Sequence, residues 1–114
     1  MRELKPIEKQ IVRTLAEKLE PMRRDQLLSD IAQAQVEPLN DSGTILRFHI
    51  TGYSRPVPEG DQLFPVEAKA KDLDGADLEI TLHCDRNGRL LDLEIIRWES
   101  GPFVEPRMES LVVY

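Results

Sequence analysis

Two short turn sequences, Asp74-Gly75 and Asn87-Gly88, separate three runs of alternating apolar and polar residues. In the first two runs the apolar side chains fall at even-numbered positions, from Phe64 to Ala70 and from Leu78 to Cys84. Strict alternation of this kind predicts half-buried β-strands, and an Asn-Gly pair strongly favours a tight hairpin. The alternation and the two turns together therefore constrain this part of the chain to an antiparallel sheet with one apolar face.

The two hairpins also agree on which face is buried. A three-residue turn over 73–75, with its glycine left-handed, places Phe64 opposite Cys84. A two-residue turn at Asn87-Gly88 places the same Cys84 opposite Leu91. Both registers put apolar side chains together on one face of the middle strand, so we take them as the predicted pairing.

The residues before the first strand have the period of helices. An apolar stripe recurs every three or four positions, at Leu4, Ile7, Ile11, Leu15 and Leu19. We predict a helix at about 4–20, which Pro21 ends, and a second helix at about 25–35, which Asp25 caps. The side chains expected to face inward from the second helix are Leu27, Leu28, Ile31 and Ala34.

These elements predict a single α+β domain over residues 1–114, in which an N-terminal amphipathic helix or helix pair packs on one face of a four- to five-stranded antiparallel meander sheet. The segments 36–43 and 52–63 have the composition of loops. We expect the apolar tail to fold back over the last strand, as a cover or an extra strand. The strands are expected at about 44–51, 63–72, 76–84 and 89–98, followed by the tail at 101–114.

The net charge and the cysteine content limit the partners and the cellular compartment that we expect for the chain. A net charge of −6 over 114 residues disfavours nucleic-acid binding. The start MRELKPIEKQ lacks the apolar segment of a signal peptide, and no run approaches the roughly 18 apolar residues of a membrane span. We therefore expect a cytoplasmic protein without a membrane partner. Cys84 is the one cysteine, and we expect it to be a small buried core residue.

The stretch HCDRNGRLLDLE, residues 83–94, is similar in its letters to a calcium-binding loop. Asp85, Gly88 and Glu94 fall at the third, sixth and twelfth positions of such a loop. The first position, however, carries His83 rather than a carboxylate, and the flanking alternation predicts strands rather than helices. We interpret the stretch as a hairpin, and we predict neither a metal site nor a cofactor.

A group of polar residues on the predicted outer face forms the alternative site. A ligand pocket or an active site would require these side chains to converge beneath the 52–63 loop. His83 opposite Asp92 has the arrangement in which a carboxylate orients an imidazole, but no nucleophile lies beside the pair. We therefore predict no catalytic residues. The residues of the alternative ligand pocket are Arg47, His49, His83 and Asp92.

Three apolar residues of the last predicted strand fall on the otherwise polar outer face: Leu90, Ile96 and Trp98. Apolar groups on a solvent face indicate a covered surface or a partner surface. Tryptophan is enriched among the residues that dominate binding energy. We therefore predict a protein-binding surface centred on Trp98.

The segments NDSGTILRF (40–48) and DLDGADLEITLHCDRNGRLLDLEIIRWESGP (72–102) resemble an uncharacterised family of small bacterial proteins, a domain of unknown function. In this sequence the family pattern falls on the turns at Asn40-Asp41, Asp74-Gly75 and Asp85–Gly88, followed by positions 93, 94, 97 and 98. Leu93 and Glu94 fit the pattern. The sequence departs from it at Ser42, where glycine is expected, and at Arg97-Trp98, where lysine and an aliphatic residue are expected. Because the motifs are mostly turn residues, the resemblance implies a fold and no reaction.

Three hypotheses for the function follow. The first is a small acidic cytosolic protein without catalysis that binds a protein partner, as an immunity or inhibitor protein does, and attracts a basic surface by its charge. The second is a small-ligand-binding protein or enzyme that uses the polar sheet face and the 52–63 loop. The third is a structural homodimer joined through the last strand.

Overall fold

The computed structural model describes residues 1–58 and 60–114. These residues form helices α1 (Pro6–Ala16) and α2 (Pro21–Ala32) and the strands of one sheet. Within this described part, no helix is long and apolar enough to cross a membrane. The strands are β1 (Ala34–Pro38), β2 (Ile45–Ile50), β3 (Gln62–Asp72), β4 (Asp77–Cys84), β5 (Leu90–Arg97) and β6 (Pro106–Val113).

The strands form one antiparallel sheet in the order β1-β2-β5-β4-β3-β6. The predicted α+β class is confirmed, but the sheet has six strands rather than four to five. The predicted meander holds only for β3, β4 and β5, because β2 pairs with β5 instead of β3. As a result β5 lies inside the sheet, with β2 on one side and β4 on the other.

β1 corrects the prediction that the second helix continues to residue 35 and a loop covers 36–43. Ala34 and Val36 are buried, whereas the other side chains of the strand are exposed. The strand pairs with β2 along its whole length. Its five residues give too few alternations for the strand period to be recognised in the sequence.

β6 corrects the prediction that the tail covers the last predicted strand. The tail does form a strand, but it pairs with β3 at the other side of the meander. Val112 lies opposite Lys69 and Arg107 lies opposite Lys71, so β6 has extra residues between these pairs. Within this bulge the Oγ of Ser110 accepts the backbone N–H of Lys71 at 2.8 Å.

Both helices begin at prolines, which corrects the predicted bounds of 4–20 and 25–35. Pro6 and Pro21 occupy the start of α1 and α2, where the missing N–H has no helical partner. Glu20 caps α2, since its side chain accepts the backbone N–H of Arg23 at 3.0 Å. Asp25, the predicted cap, lies inside the helix.

The core lies between the helices and the inner face of the sheet. Four members of the predicted stripe are buried and Ile7 is half-buried. Leu28 was expected to face inward, but it is exposed because the adjacent Leu27 takes the core side of α2. Cys84 is buried as expected. Large side chains buried in this core include Ile11, Leu15, Phe48, Ile80, Leu82 and Leu93.

The predicted register of β3 with β4 is confirmed from Lys71–Asp77 to Glu67–Thr81. Nearer the start of β3 the register shifts, so that Gln62 rather than Phe64 lies opposite Cys84. The irregularity lies between Leu63 and Glu67. This interval contains a proline, which has no N–H to donate to the ladder.

The predicted register of β4 with β5 is confirmed as far as His83–Asp92, but Cys84 then lies opposite Leu90 rather than Leu91. The turn explains the shift. Within this turn only Gly88 has a positive φ (77°), and its N–H donates to the carbonyl of Asp85 at 2.9 Å. The turn is therefore longer than the two-residue hairpin that was predicted, and a bulge follows its glycine.

The bulge turns Leu90 into the core, where it is fully buried. The prediction that Leu90 lies on the outer face was therefore wrong. A register shift of one residue moves a side chain to the other face of a sheet. Because the turn was predicted to be too short, Leu90 was assigned to the wrong face.

We expect Leu90→Ala to lower the free energy of unfolding by about 2–5 kcal/mol, because it leaves a cavity in the core. Leu63→Ala removes the same atoms from a side chain that is 58% exposed, and we expect it to cost about 0.5 kcal/mol or less. Urea unfolding followed by far-UV circular dichroism measures both. Equal small losses would mean that the Leu90 side chain faces solvent.

Candidate functional site

The sheet face opposite the helices carries side chains that are half-buried or exposed, and we call it the open face. These side chains come from alternate positions of the strands, so they lie on one side of the sheet. The open face includes Arg47, His49, Glu67, Lys69, Lys71, Asp77, Glu79, Thr81, His83, Asp92, Glu94, Ile96, Trp98 and Val112. Two of the three predicted partner-binding residues, Ile96 and Trp98, are among them.

A groove of about 430 Å³ crosses the open face between Trp98 and Val112. Both walls are apolar and well exposed, with 66% of Trp98 and 60% of Val112 accessible to solvent. The floor consists of charged side chains from β3 and β4: Lys69, Lys71, Asp77 and Glu79. We call this feature the Trp98 groove.

The backbone that carries Trp98 is held from both sides. The N–H of Trp98 donates to the carbonyl of Asp77 at 3.1 Å. The guanidinium of Arg97 is almost buried and binds Asp72 and Asp74, each at 2.7 Å. The hydrogen bonds from Arg97 lower the pKa of Asp74 to about 2. These contacts fix the backbone at Trp98, so binding does not have to order this segment.

Asp72 is a buried carboxylate that the sequence analysis missed. Besides Arg97, it accepts the backbone N–H groups of Leu73, Val104 and Glu105 at 2.8, 3.1 and 2.8 Å. Burial alone raises the pKa of Asp72, but these donors outweigh burial, so the pKa lies below its usual value. The contacts tie the chain before β6 to the β3–β4 turn.

Asp85 has the same role in the β4–β5 turn. Its buried carboxylate accepts the Tyr53 hydroxyl at 2.6 Å and the Arg55 guanidinium at 3.0 Å, as well as the backbone N–H groups of Asn87 and Arg89. Burial raises the pKa of Asp85, but the hydrogen bonds outweigh it, so the pKa is lowered. This carboxylate anchors the loop between β2 and β3.

The residues of 83–94 that match the calcium-loop pattern make other contacts in the structure. The Asp85 carboxylate is occupied by the donors described above, and Glu94 lies on the open face, 3.7 Å from Nε2 of His83. Among the residues that the structure describes, no three His, Cys, Asp or Glu side chains group in a way that could hold a metal ion.

A second cavity, of about 250 Å³, lies beneath the loop between β2 and β3. Arg47 and His49 line it, as the alternative site requires. Both nevertheless have partners already: Nε and Nη2 of Arg47 bind the two oxygens of Asp92 at 2.8 and 2.9 Å, and Nε2 of His49 lies 3.0 Å from Glu37. The other two predicted residues, His83 and Asp92, are not among the lining residues. His83 lies on β4, beyond β5.

Residues 1–106 match a domain of unknown function, DUF6984. The chain belongs to this family. The match confirms the resemblance to a domain of unknown function, whereas the bacterial source stays a prediction. No curated protein and no solved structure matches the chain significantly. Of the two walls of the Trp98 groove, Trp98 lies within the matched residues and Val112 lies beyond them.

The sequence contains a signal for the role of Asp72 but none for the position of Val112. Asp72 precedes Gly75 by three residues, as Asp85 precedes Gly88. In both turns the glycine N–H donates to the aspartate carbonyl at 2.9 Å, so comparing the two stretches would have indicated a shared role. No such signal exists for Val112, because its place opposite Lys69 depends on a strand that was not predicted there.

We expect the free energy of unfolding to decrease as the pH is lowered, because the folded-state pKa values of Asp72 and Asp85 are lowered. Their contribution is complete above the pKa of an unfolded aspartate, about 4, and is lost as the pH falls through the folded-state pKa. Asp85→Asn and Asp72→Asn should therefore lower stability by about 1–3 kcal/mol at neutral pH and flatten the loss in acid. Urea unfolding at neutral and acid pH measures both effects.

Asp41→Asn is the matched control for this series, because Asp41 is exposed. It should keep both the neutral-pH stability and the acid slope of the wild type. An unchanged acid slope in both Asp72→Asn and Asp85→Asn would contradict the assignment of acid sensitivity to these carboxylates.

Proposed function

We propose that this protein is a non-catalytic cytosolic binding protein that captures a protein partner with a basic surface, as an immunity or inhibitor protein does. The binding surface is the open face, centred on Trp98. The observation that carries the proposal is a tryptophan that is 66% exposed on a backbone held next to the buried Arg97–Asp72 ion pair. The single cysteine is buried and free, which fits a reducing compartment.

The apolar content of the open face supports a protein partner. Trp98 and Val112 form the two walls of the Trp98 groove, and Ile96 lies half-buried beside Trp98 in register with Glu79. Energetic hot spots cluster around aromatic side chains with apolar neighbours that exclude water. The open face supplies both.

The distribution of charge supports a basic partner. Residues 1–33 carry seven Lys and Arg against six Asp and Glu, whereas residues 34–114 carry eight against fifteen. Among the open-face residues named above, five carboxylates stand against three Lys and Arg: Glu67, Asp77, Glu79, Asp92 and Glu94 against Arg47, Lys69 and Lys71. A surface of one sign raises the association rate with a surface of the opposite sign and makes that rate sensitive to salt.

The support beneath Trp98 reduces the entropy that binding has to overcome. Arg97 is held by both Asp72 and Asp74, and Asp72 in turn holds the backbone at Val104 and Glu105. Because the backbone around Trp98 is already held, binding does not have to order it, so more of the contact energy contributes to affinity.

The alternatives have weaker support. In the cavity beneath the β2–β3 loop, Arg47 and His49 already contact carboxylates, and His83 lies outside the lining. A homodimer joined edge to edge through β5 would need a free edge there, but β5 pairs with β2 and β4. Self-association would therefore have to use a face of the sheet or another strand.

Immobilised wild-type protein should retain a partner that Trp98→Ala loses, with an affinity change of about 30-fold or more, as expected for a hot-spot residue. Met22→Ala is the matched control, because Met22 is 81% exposed on α2. The control should bind like the wild type, and added salt should release the partner. Equal retention by wild type and Trp98→Ala, with both folded by circular dichroism, would refute the proposed surface.

A further inference from the structure

The floor of the Trp98 groove contains one carboxylate that forms no ion pair with a described residue. Lys71 forms an ion pair with Asp77 across β3 and β4. The amino group of Lys69 lies 5.7 Å from the centre of the Tyr114 ring, on the side of β6. Glu79 is half-buried and forms no ion pair with any described residue. The two lysines and two carboxylates of the floor carry no net charge. What the groove offers a ligand is the carboxylate of Glu79, which lies opposite Lys69 and forms no ion pair with a described residue.

The indole and this carboxylate lie at a spacing that suits a planar cation. Glu79 lies opposite Ile96, and Trp98 is two residues further along the same strand face. Diagonal neighbours on one face of an antiparallel pair are about 7–8 Å apart. That separation leaves room for one flat group that lies on the ring and also reaches the carboxylate.

We infer that the Trp98 groove receives an arginine side chain of the partner, with its guanidinium stacked on Trp98 and its N–H groups donating to the carboxylate of Glu79. The inference rests on the proposed function and names the chemistry that the partner presents. Val112 closes the other side of the groove against the aliphatic part of the arginine.

Arginine fits this groove better than lysine does. The guanidinium is planar, stacks on aromatic faces and is more weakly hydrated than an ammonium group. It also carries several N–H donors in one plane, so it contacts the ring and the carboxylate at the same time. A lysine ammonium is a compact, strongly hydrated charge and gains less from the indole.

Trp98 is the only tryptophan of the chain, so its fluorescence reports directly on the groove. The probes are short glycine peptides that contain arginine, lysine or glutamate at the same positions. We expect the arginine peptide to cause a saturable change in Trp98 emission. The lysine peptide should bind about two- to fivefold more weakly, and the glutamate peptide should cause no change.

Glu79→Gln tests the carboxylate. Glu17→Gln, at the C-cap of α1, is the matched control because it removes the same charge from an exposed position away from the sheet. Loss of a charge-assisted hydrogen bond should weaken the arginine peptide about tenfold in Glu79→Gln, while Glu17→Gln should bind like the wild type. Both variants should keep the thermal unfolding midpoint of the wild type.

Three results would overturn the inference. The first is equal binding of the arginine and glutamate peptides, and the second is equal weakening by Glu79→Gln and Glu17→Gln. The third is a change in emission with protein concentration alone, which would assign the groove to a second copy of this chain. If no arginine peptide binds but Trp98→Ala still abolishes partner capture, the proposed function stands without the arginine. If both fail, the open face is not the binding surface.

Discussion

The buried carboxylate of Asp72 connects three segments that are far apart in the chain. It accepts backbone N–H groups from its own turn and from Val104 and Glu105, and it binds the guanidinium of Arg97 at the end of β5. A buried charge is tolerated only when such donors replace its water. The path of the chain into β6 and the position of Trp98 both depend on this arrangement, and Asp85 does the same for the loop between β2 and β3.

The part of the fold that could be predicted from the sequence is the part built by local pairing. β3, β4 and β5 follow one another through short turns, and their alternation fixes the shared buried face. The positions of β1 and β6 could not be predicted in the same way. Each is placed by a neighbour distant in sequence, and the five residues of β1 show little periodicity.

The residues of the candidate site also differ in whether local pairing places them. Ile96 and Trp98 were placed on the outer face by the hairpin register, and they lie there. Leu90 was misplaced because the register changes at a turn whose length cannot be taken from its two central residues alone. The other wall of the groove, Val112, required knowledge of which edge the tail joins.

The bulge of β6 has a consequence for the protein at high concentration. An open sheet ends in two strands whose free backbone groups can template further strands, which is how fibrils grow. At one end, Ser110 takes the place of a ladder partner for Lys71 and interrupts β6. At the other, the backbone of Arg2 pairs with Val36 at 2.9 and 2.8 Å and covers the middle of β1. The chain can therefore expose the apolar walls of the Trp98 groove on its face while neither edge offers a regular template for aggregation.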